Sequence, residues 1–143
     1  MLGMRSTLCL SNGTQFQITQ ALDLLILVET ALLDVYGCSA LENPSLVVDI
    51  GAGFGDFSIL IAKRFPACRV YAFEPDPRQF ALLKENVSLN GVTNVVMHDV
   101  AIGAKESLIL FQGPHKGTTS PIKSESNIGE ISVACRPLSD FID

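Results

Sequence analysis

The chain has 143 residues, 48% of them hydrophobic and 17% charged, a balance that excludes disordered and low-complexity architectures and fits one compact domain. Ten Lys and Arg against fifteen Asp and Glu give a net charge of −5, with no basic residue between Ser6 and Ala62. A basic, nucleic-acid-binding face is therefore not expected, and the partners read as containing no nucleic acid.

Residues 7–18 read as a short polar hairpin with Asn12-Gly13 at the turn. The polar run Ser11-Asn12-Gly13 interrupts the apolar N-terminus too early for a signal-peptide core. The four cysteines, at 9, 38, 68 and 135, form no C-x-x-C pair, so no metal site or disulfide framework is suggested and a cytoplasmic location is expected. Residues 21–35, ALDLLILVETALLDV, are the most apolar stretch. At about 100° per residue Asp23, Thr30 and Asp34 share one narrow stripe. With Glu29 also present, a membrane span is disfavoured and a well-buried helix is expected. Interfacial attachment is the alternative, and the missing basic residues disfavour anionic lipid.

A strand–helix alternation follows. Leu46–Ile50 (LVVDI) and Arg69–Phe73 (RVYAF) are apolar runs that read as strands, and 94–102 (NVVMHDVAI) as a third. Between them lie an amphipathic stretch over 56–65 and a second helix over 76–90. The second helix has Asp76 to cap it, Pro77 in its first turn, Phe80, Leu83 and Val87 on one face, and Gly91 at its stop. Continuous apolar strands alternating with helices predict an α/β fold with a parallel sheet covered on both faces. Right-handed crossovers predict the spatial order third, second, first. Beyond Gly103, 107–111 and 131–136 read as strands flanking a Gly, Thr, Ser and Pro-rich loop. There is no internal repeat.

The segment VVDIGAGFG, residues 47–55, joins a strand, an acid and glycines at 51, 53 and 55 to a following helix. Glycines there permit positive φ and close approach of a ligand to the backbone, and the helix N-terminus offers N–H groups to an anion. Glu74 stands nineteen residues after Gly55, at the end of the second strand, where a doubly wound fold places the acid that binds ribose hydroxyls. Asp99, at the third strand's end, is placed to accept from an adenine amino group. Each acid also has a plainer reading, Glu74 as a solvated strand end and Asp99 as a turn acid. A dinucleotide fingerprint starting at Gly51 would need glycine where Asp56 stands. S-adenosylmethionine, with no phosphate and with a sulfonium and an amino group, tolerates Asp49 and Asp56 better; Asp56 itself reads first as a helix cap. His98 reads as a strand-end side chain and His115 as a loop residue, so no general base is assigned.

VVDIGAGFGDFSILIAK, VYAFEPDPRQFALLKENVSLNG and VVMHDVAIG together resemble class I S-adenosylmethionine-dependent methyltransferases, and specifically the FkbM family. The resemblance covers about residues 41–143. It implies a Rossmann-like, doubly wound fold and O-methylation of a hydroxyl on a sugar or other small molecule. It also implies a cofactor site in which Asp49 and Gly51 hold the methionine end, Gly53 and Gly55 shape the loop with Ala52 and Phe54 between them, and Glu74 grips the ribose. Pro75 and Asp76 would lie beside the adenine, with Asp99 and the adjoining Val100 at its edge. Gly53 departs from the Asn frequent in that family. The domain divides as 1–40 (hairpin and helix), 41–103 (cofactor-binding core) and 104–143 (strand pair, loop and the start of a helix). The family's later strands and acceptor site are not found before Asp143, which implies a truncated domain, or a partner or second copy covering the open sheet edge. The competing functional readings are a non-catalytic nucleotide-binding or interaction module and, less favoured because of Asp56, a nicotinamide-dependent oxidoreductase.

Overall fold

The computed structural model describes residues 5–104, 106–113 and 119–142. The chain opens with an antiparallel hairpin, β1 (Ser6–Cys9) and β2 (Gln15–Ile18), whose connection carries Gly13 at φ 80°. Helix α1 (Ala21–Ala31) follows. Then come β3 (Leu46–Ile50), α2 (Asp56–Arg64), β4 (Arg69–Phe73), α3 (Pro77–Asn90) and β5 (Val95–His98). These strands form a parallel sheet in the order β3-β4-β5, as the crossover rule predicts. Helix α3 starts and stops as its sequence reads: the Asp76 carboxylate accepts from the Arg78 amide, and Gly91 closes the helix in the left-handed region at φ 62°.

The third predicted strand does not run through. The chain leaves the parallel sheet at Asp99, and β6 (Ala101–Ile102) pairs instead, in parallel, with β9 (Gly129–Arg136). β9 also pairs antiparallel with β7 (Ser107–Gln112), which carries the two-residue β8 (Thr119–Ser120) on its other edge. The strand pair read beyond Gly103 thus belongs to a second, mixed sheet. His115 lies outside the described residues.

Among the described residues, α-helices clad one face of the parallel sheet. Two right-handed crossovers that advance in the same direction put both helices on the same side, so α2 and α3 cover the face of Val47, Val70, Ala72, Val95 and Met97. The register sets Val48 and Ile50 of β3 beside Tyr71 and Phe73 of β4 on the other face. There Phe73 and His98 stack at 4.9 Å and both meet Phe141, which follows the short turn Leu138–Asp140, while Ile50 stays 58% exposed. Over the described residues, the expected cladding is present on one of the two faces.

Helix α1 also departs from expectation. Its buried residues are Asp23, Leu27 and Thr30, while Leu24 and Leu25, and Leu32, Leu33 and Val35 beyond its end, are exposed. Asp23 and Thr30 of the polar stripe face inward because both are hydrogen-bonded there, while Asp34 falls past the helix end. The Asp23 carboxylate accepts from the backbone and side chains of Thr19 and Gln20, and the Thr30 hydroxyl donates to Asp56. No helix among the described residues is long and apolar enough to cross a membrane.

The hairpin is tied to the core through two amides on α3, the half-buried Asn90, which accepts from the Gln15 amide and donates to the Gln15 carbonyl, and the fully buried Asn86. Asn86 accepts from the Gln17 amide at 2.6 Å and donates to the carbonyls of Gln17 and, at 2.9 Å, Phe54. Phe16 and Phe54 then meet edge to face at 6.0 Å inside the same cluster.

Candidate functional site

The turn after β3 is built by its glycines. Gly51, Gly53 and Gly55 take φ of 84°, 53° and 91°, a left-handed region in which side chains are strained. At Gly55 space is lacking as well: a Cβ there would stand 2.5 Å from Leu83 Cδ1, at the packed junction of α2 and α3.

This turn consumes its own amides. Gly51 and Ala52 both donate to the Phe73 carbonyl, at 2.8 and 3.0 Å, and Gly55 donates to Ala52. Gly53 donates at 2.8 Å to Glu74 Oε2, whose other oxygen accepts from the Asp76 amide at 2.7 Å. Glu74, 6% exposed, thus clamps the glycine turn to the start of α3. Burial pushes its carboxyl above the ordinary value while the two amides oppose that shift.

Two further carboxylates stand close to the turn. Asp49 accepts from the Ser58 hydroxyl at 2.6 Å, and burial, reinforced by the charge of Asp56, pushes it up to about 6. Asp56 opens α2 after Gly55, which is the N-cap, so the expectation that Asp56 itself caps the helix is corrected by one position. Its carboxyl is also raised by burial, against the bond from Thr30 and its own helix amides.

Two cavities meet at the turn. The larger, about 430 Å³, is lined by Gly51, Gly53, Glu74, Pro75 and Val100 from the parallel-sheet core, and by Leu108, Leu110, Thr119 and Pro121 from the mixed sheet and its loop. The smaller, about 260 Å³, is lined by Asp49, Gly51, Ala52 and Asp56, with Tyr36 and Phe57. Ile50 and Gly51 belong to both. An elongated ligand could therefore run along the carboxyl edge of the sheet, one end facing Glu74 and the other facing Asp49, and the larger cavity alone is of the size small-molecule sites use.

The structure sorts the candidate residues read from the sequence. Asp49, Gly51, Ala52, Gly53, Glu74, Pro75 and Val100 line one cavity or the other. Phe54 does not, being 2% exposed in the core, and Gly55 is the N-cap packed on Leu83. Asp76 is turned away from both: it is fully buried, caps α3 and pairs with the Arg78 guanidinium at 2.8 Å, which holds its carboxyl below the ordinary value against burial. Asp99 is exposed and lines neither cavity, while its neighbour Val100 does. Tyr36, Leu108 and Leu110 were missed. The signal for the leucines was the alternation in SLILF, which sets both on one face of β7; for Tyr36 there was only the turn chemistry of Asp34 and Gly37.

Comparison with known proteins gives this geometry a setting. Residues 38–107 match the model of the TRM5/TYW2 methyltransferase domain. The chain is 27% identical over 97 residues to Methyltransferase 1 of Beauveria bassiana, covering 67% of this chain and 39% of that one. It is 44% identical over 55 residues to a tRNA(Phe) (4-demethylwyosine(37)-C(7)) aminocarboxypropyltransferase of Methanocaldococcus jannaschii, covering 38% of this chain and 22% of that one. Among solved structures, Trm5b of Pyrococcus abyssi superposes with a TM-score of 0.51 at 25% identity, over 73% of this chain and 32% of that chain. The chain thus spans about two fifths or less of the length of these relatives. The fold is the Rossmann-like α/β fold of class I methyltransferases, and the likeness is to that class rather than to the FkbM family specifically.

One expectation is overturned here. Nucleic acid was not expected on charge, yet relatives named for tRNA, from Methanocaldococcus jannaschii and Pyrococcus abyssi, stand among the matches. Net charge sums over the whole chain, whereas recognition of phosphates depends on where cations sit locally, so a charge of −5 carries no such exclusion.

Proposed function

We propose that this chain binds S-adenosylmethionine and forms the donor-binding part of a class I methyltransferase. The observation that carries the reading is the pair of cavities joined at Gly51, with Glu74 facing one and Asp49 and Asp56 the other. Glu74 would accept from the ribose hydroxyls with the lone pairs its two amide bonds leave over. Pro75, Val100 and Leu110 offer apolar surface to the adenine, and Asp99, one residue before Val100, is the proposed acceptor for its amino group. Asp49 and Asp56 face the cationic methionine end, where an ammonium would offset the cost of keeping two carboxylates together out of water.

The bound cofactor would supply an activated methyl group on a sulfonium, already a good leaving group. What falls to the chain is holding the donor in one orientation and excluding water from it. A general base for the acceptor is not among the roles assigned to these residues.

For the acceptor, the match over 38–107 to the TRM5/TYW2 domain favours RNA, while the FkbM-like motifs favour a hydroxyl on a sugar or other small molecule. Titration with S-adenosylhomocysteine and with NAD tests the donor reading: saturable binding of the first and none of the second is expected, and the reverse would overturn it. Transfer of a labelled methyl group into bulk tRNA, against transfer into glycoside pools, separates the two acceptors. Binding with no transfer to either, in a protein carrying the full length of the relatives, would favour a non-catalytic binding module.

A further inference from the structure

An S-adenosylmethionine arm ends in an α-carboxylate as well as an ammonium, and the smaller cavity is acidic. Asp49 and Asp56 suit the ammonium and repel the carboxylate. No Lys, Arg or His is among the described residues that line this cavity. Nor do the first amides of the glycine turn serve, since those of Gly51 and Ala52 are spent on the Phe73 carbonyl and that of Gly53 on Glu74. Among the lining side chains one neutral donor is left, the phenol of Tyr36.

Tyr36 is held toward this cavity although it is 64% exposed. Asp34 takes a left-handed φ of 48° just past α1, its carbonyl accepts from the Gly37 amide at 2.8 Å, and its carboxylate accepts from the amides of Cys38 and Ser39. The Tyr36 ring then meets Phe57 edge to face, with centroids 5.2 Å apart. Partial burial and the charges of Asp56 and Asp49 raise the phenol's pKa, so its proton stays available for donation.

We propose that Tyr36 binds the α-carboxylate of the cofactor's amino-acid arm, its hydroxyl donating to a carboxylate oxygen, and so fixes the methionine end in the Asp49 cavity. The proposal rests on the donor reading above. Its test compares S-adenosylhomocysteine, which has the arm, with 5′-methylthioadenosine, which lacks it, in calorimetric titrations of the wild-type chain and of Tyr36→Phe, a change that keeps the ring against Phe57. Tyr36→Phe is expected to weaken S-adenosylhomocysteine about tenfold, the scale of a lost hydrogen bond to a charged group, and to leave 5′-methylthioadenosine within about twofold. Equal losses for both ligands, or no loss for S-adenosylhomocysteine, would overturn the role of Tyr36 while leaving the cofactor reading standing. A wild-type chain that binds neither ligand would overturn both.

Discussion

Replacing Asp49 with Asn should make the protein more stable and a weaker binder at once. The Asp49 carboxyl is pushed from an ordinary 3.8 up to about 6, chiefly by burial. Each tenfold change in proton affinity corresponds to about 1.4 kcal/mol, so keeping this group ionised at pH 7 costs the fold about 3 kcal/mol. The sign follows from the raised folded value: the folded state holds the proton more tightly, so stability is highest below the unfolded value and declines as pH rises toward 6, then levels off. Asn carries no such penalty, and its carbonyl can still accept from Ser58. Asp49→Asn should therefore gain up to about 3 kcal/mol at pH 7, roughly half of that at pH 5, and nothing below about pH 4. Thermal melts across this range check it, with a rise of several degrees expected at pH 7. Affinity for S-adenosylhomocysteine should fall in the same variant. A melting temperature at pH 7 equal to or below that of wild type would refute the desolvation argument.

Three other substitutions probe the remaining joints. Glu74→Ala leaves the buried amides of Gly53 and Asp76 without their acceptor, so a stability loss of about 2–4 kcal/mol and an affinity loss of at least tenfold for S-adenosylhomocysteine should appear together, in melts and titration. Gly55→Ala forces a Cβ against Leu83 at positive φ and should cost about 2–4 kcal/mol in denaturant unfolding. Thr30→Val removes the hydroxyl from buried Asp56 and should cost about 1–3 kcal/mol. A loss below about 0.5 kcal/mol would show that Asp56 finds another partner.

The parts of the fold that were legible are those decided locally. Leu46–Ile50 and Arg69–Phe73 are continuous apolar runs ended by turn chemistry, and α3 carries its own cap, first-turn proline and terminal glycine, so each appears where it was read. Where Val95–His98 stops was not legible, because it depends on β9, some thirty residues on, offering Ala101 and Ile102 a different partner. The inward face of α1 was misread because apolar bulk was counted without the bonds that satisfy Asp23 and Thr30. In the site, Gly51 and Glu74 followed from spacing along one βαβ unit. Tyr36, Leu108 and Leu110 come from segments before and after that unit, and no spacing rule reaches them. Asp76, read both as the α3 cap and as a neighbour of the adenine, is occupied in the first of these roles, bonded to the Arg78 amide and guanidinium.

The buried amide of Asn86 gives the N-terminal hairpin a stake in the proposed donor site that its position does not suggest. One side chain holds Gln17 in β2 and the Phe54 carbonyl in the glycine turn, so the two cannot drift apart in sequence independently. Additions at the hairpin's exposed tip leave this arrangement intact. A slip of one residue in its pairing would present the wrong edge of β2 to Asn86, and the glycine turn would register the change without any residue near the ligand having been altered.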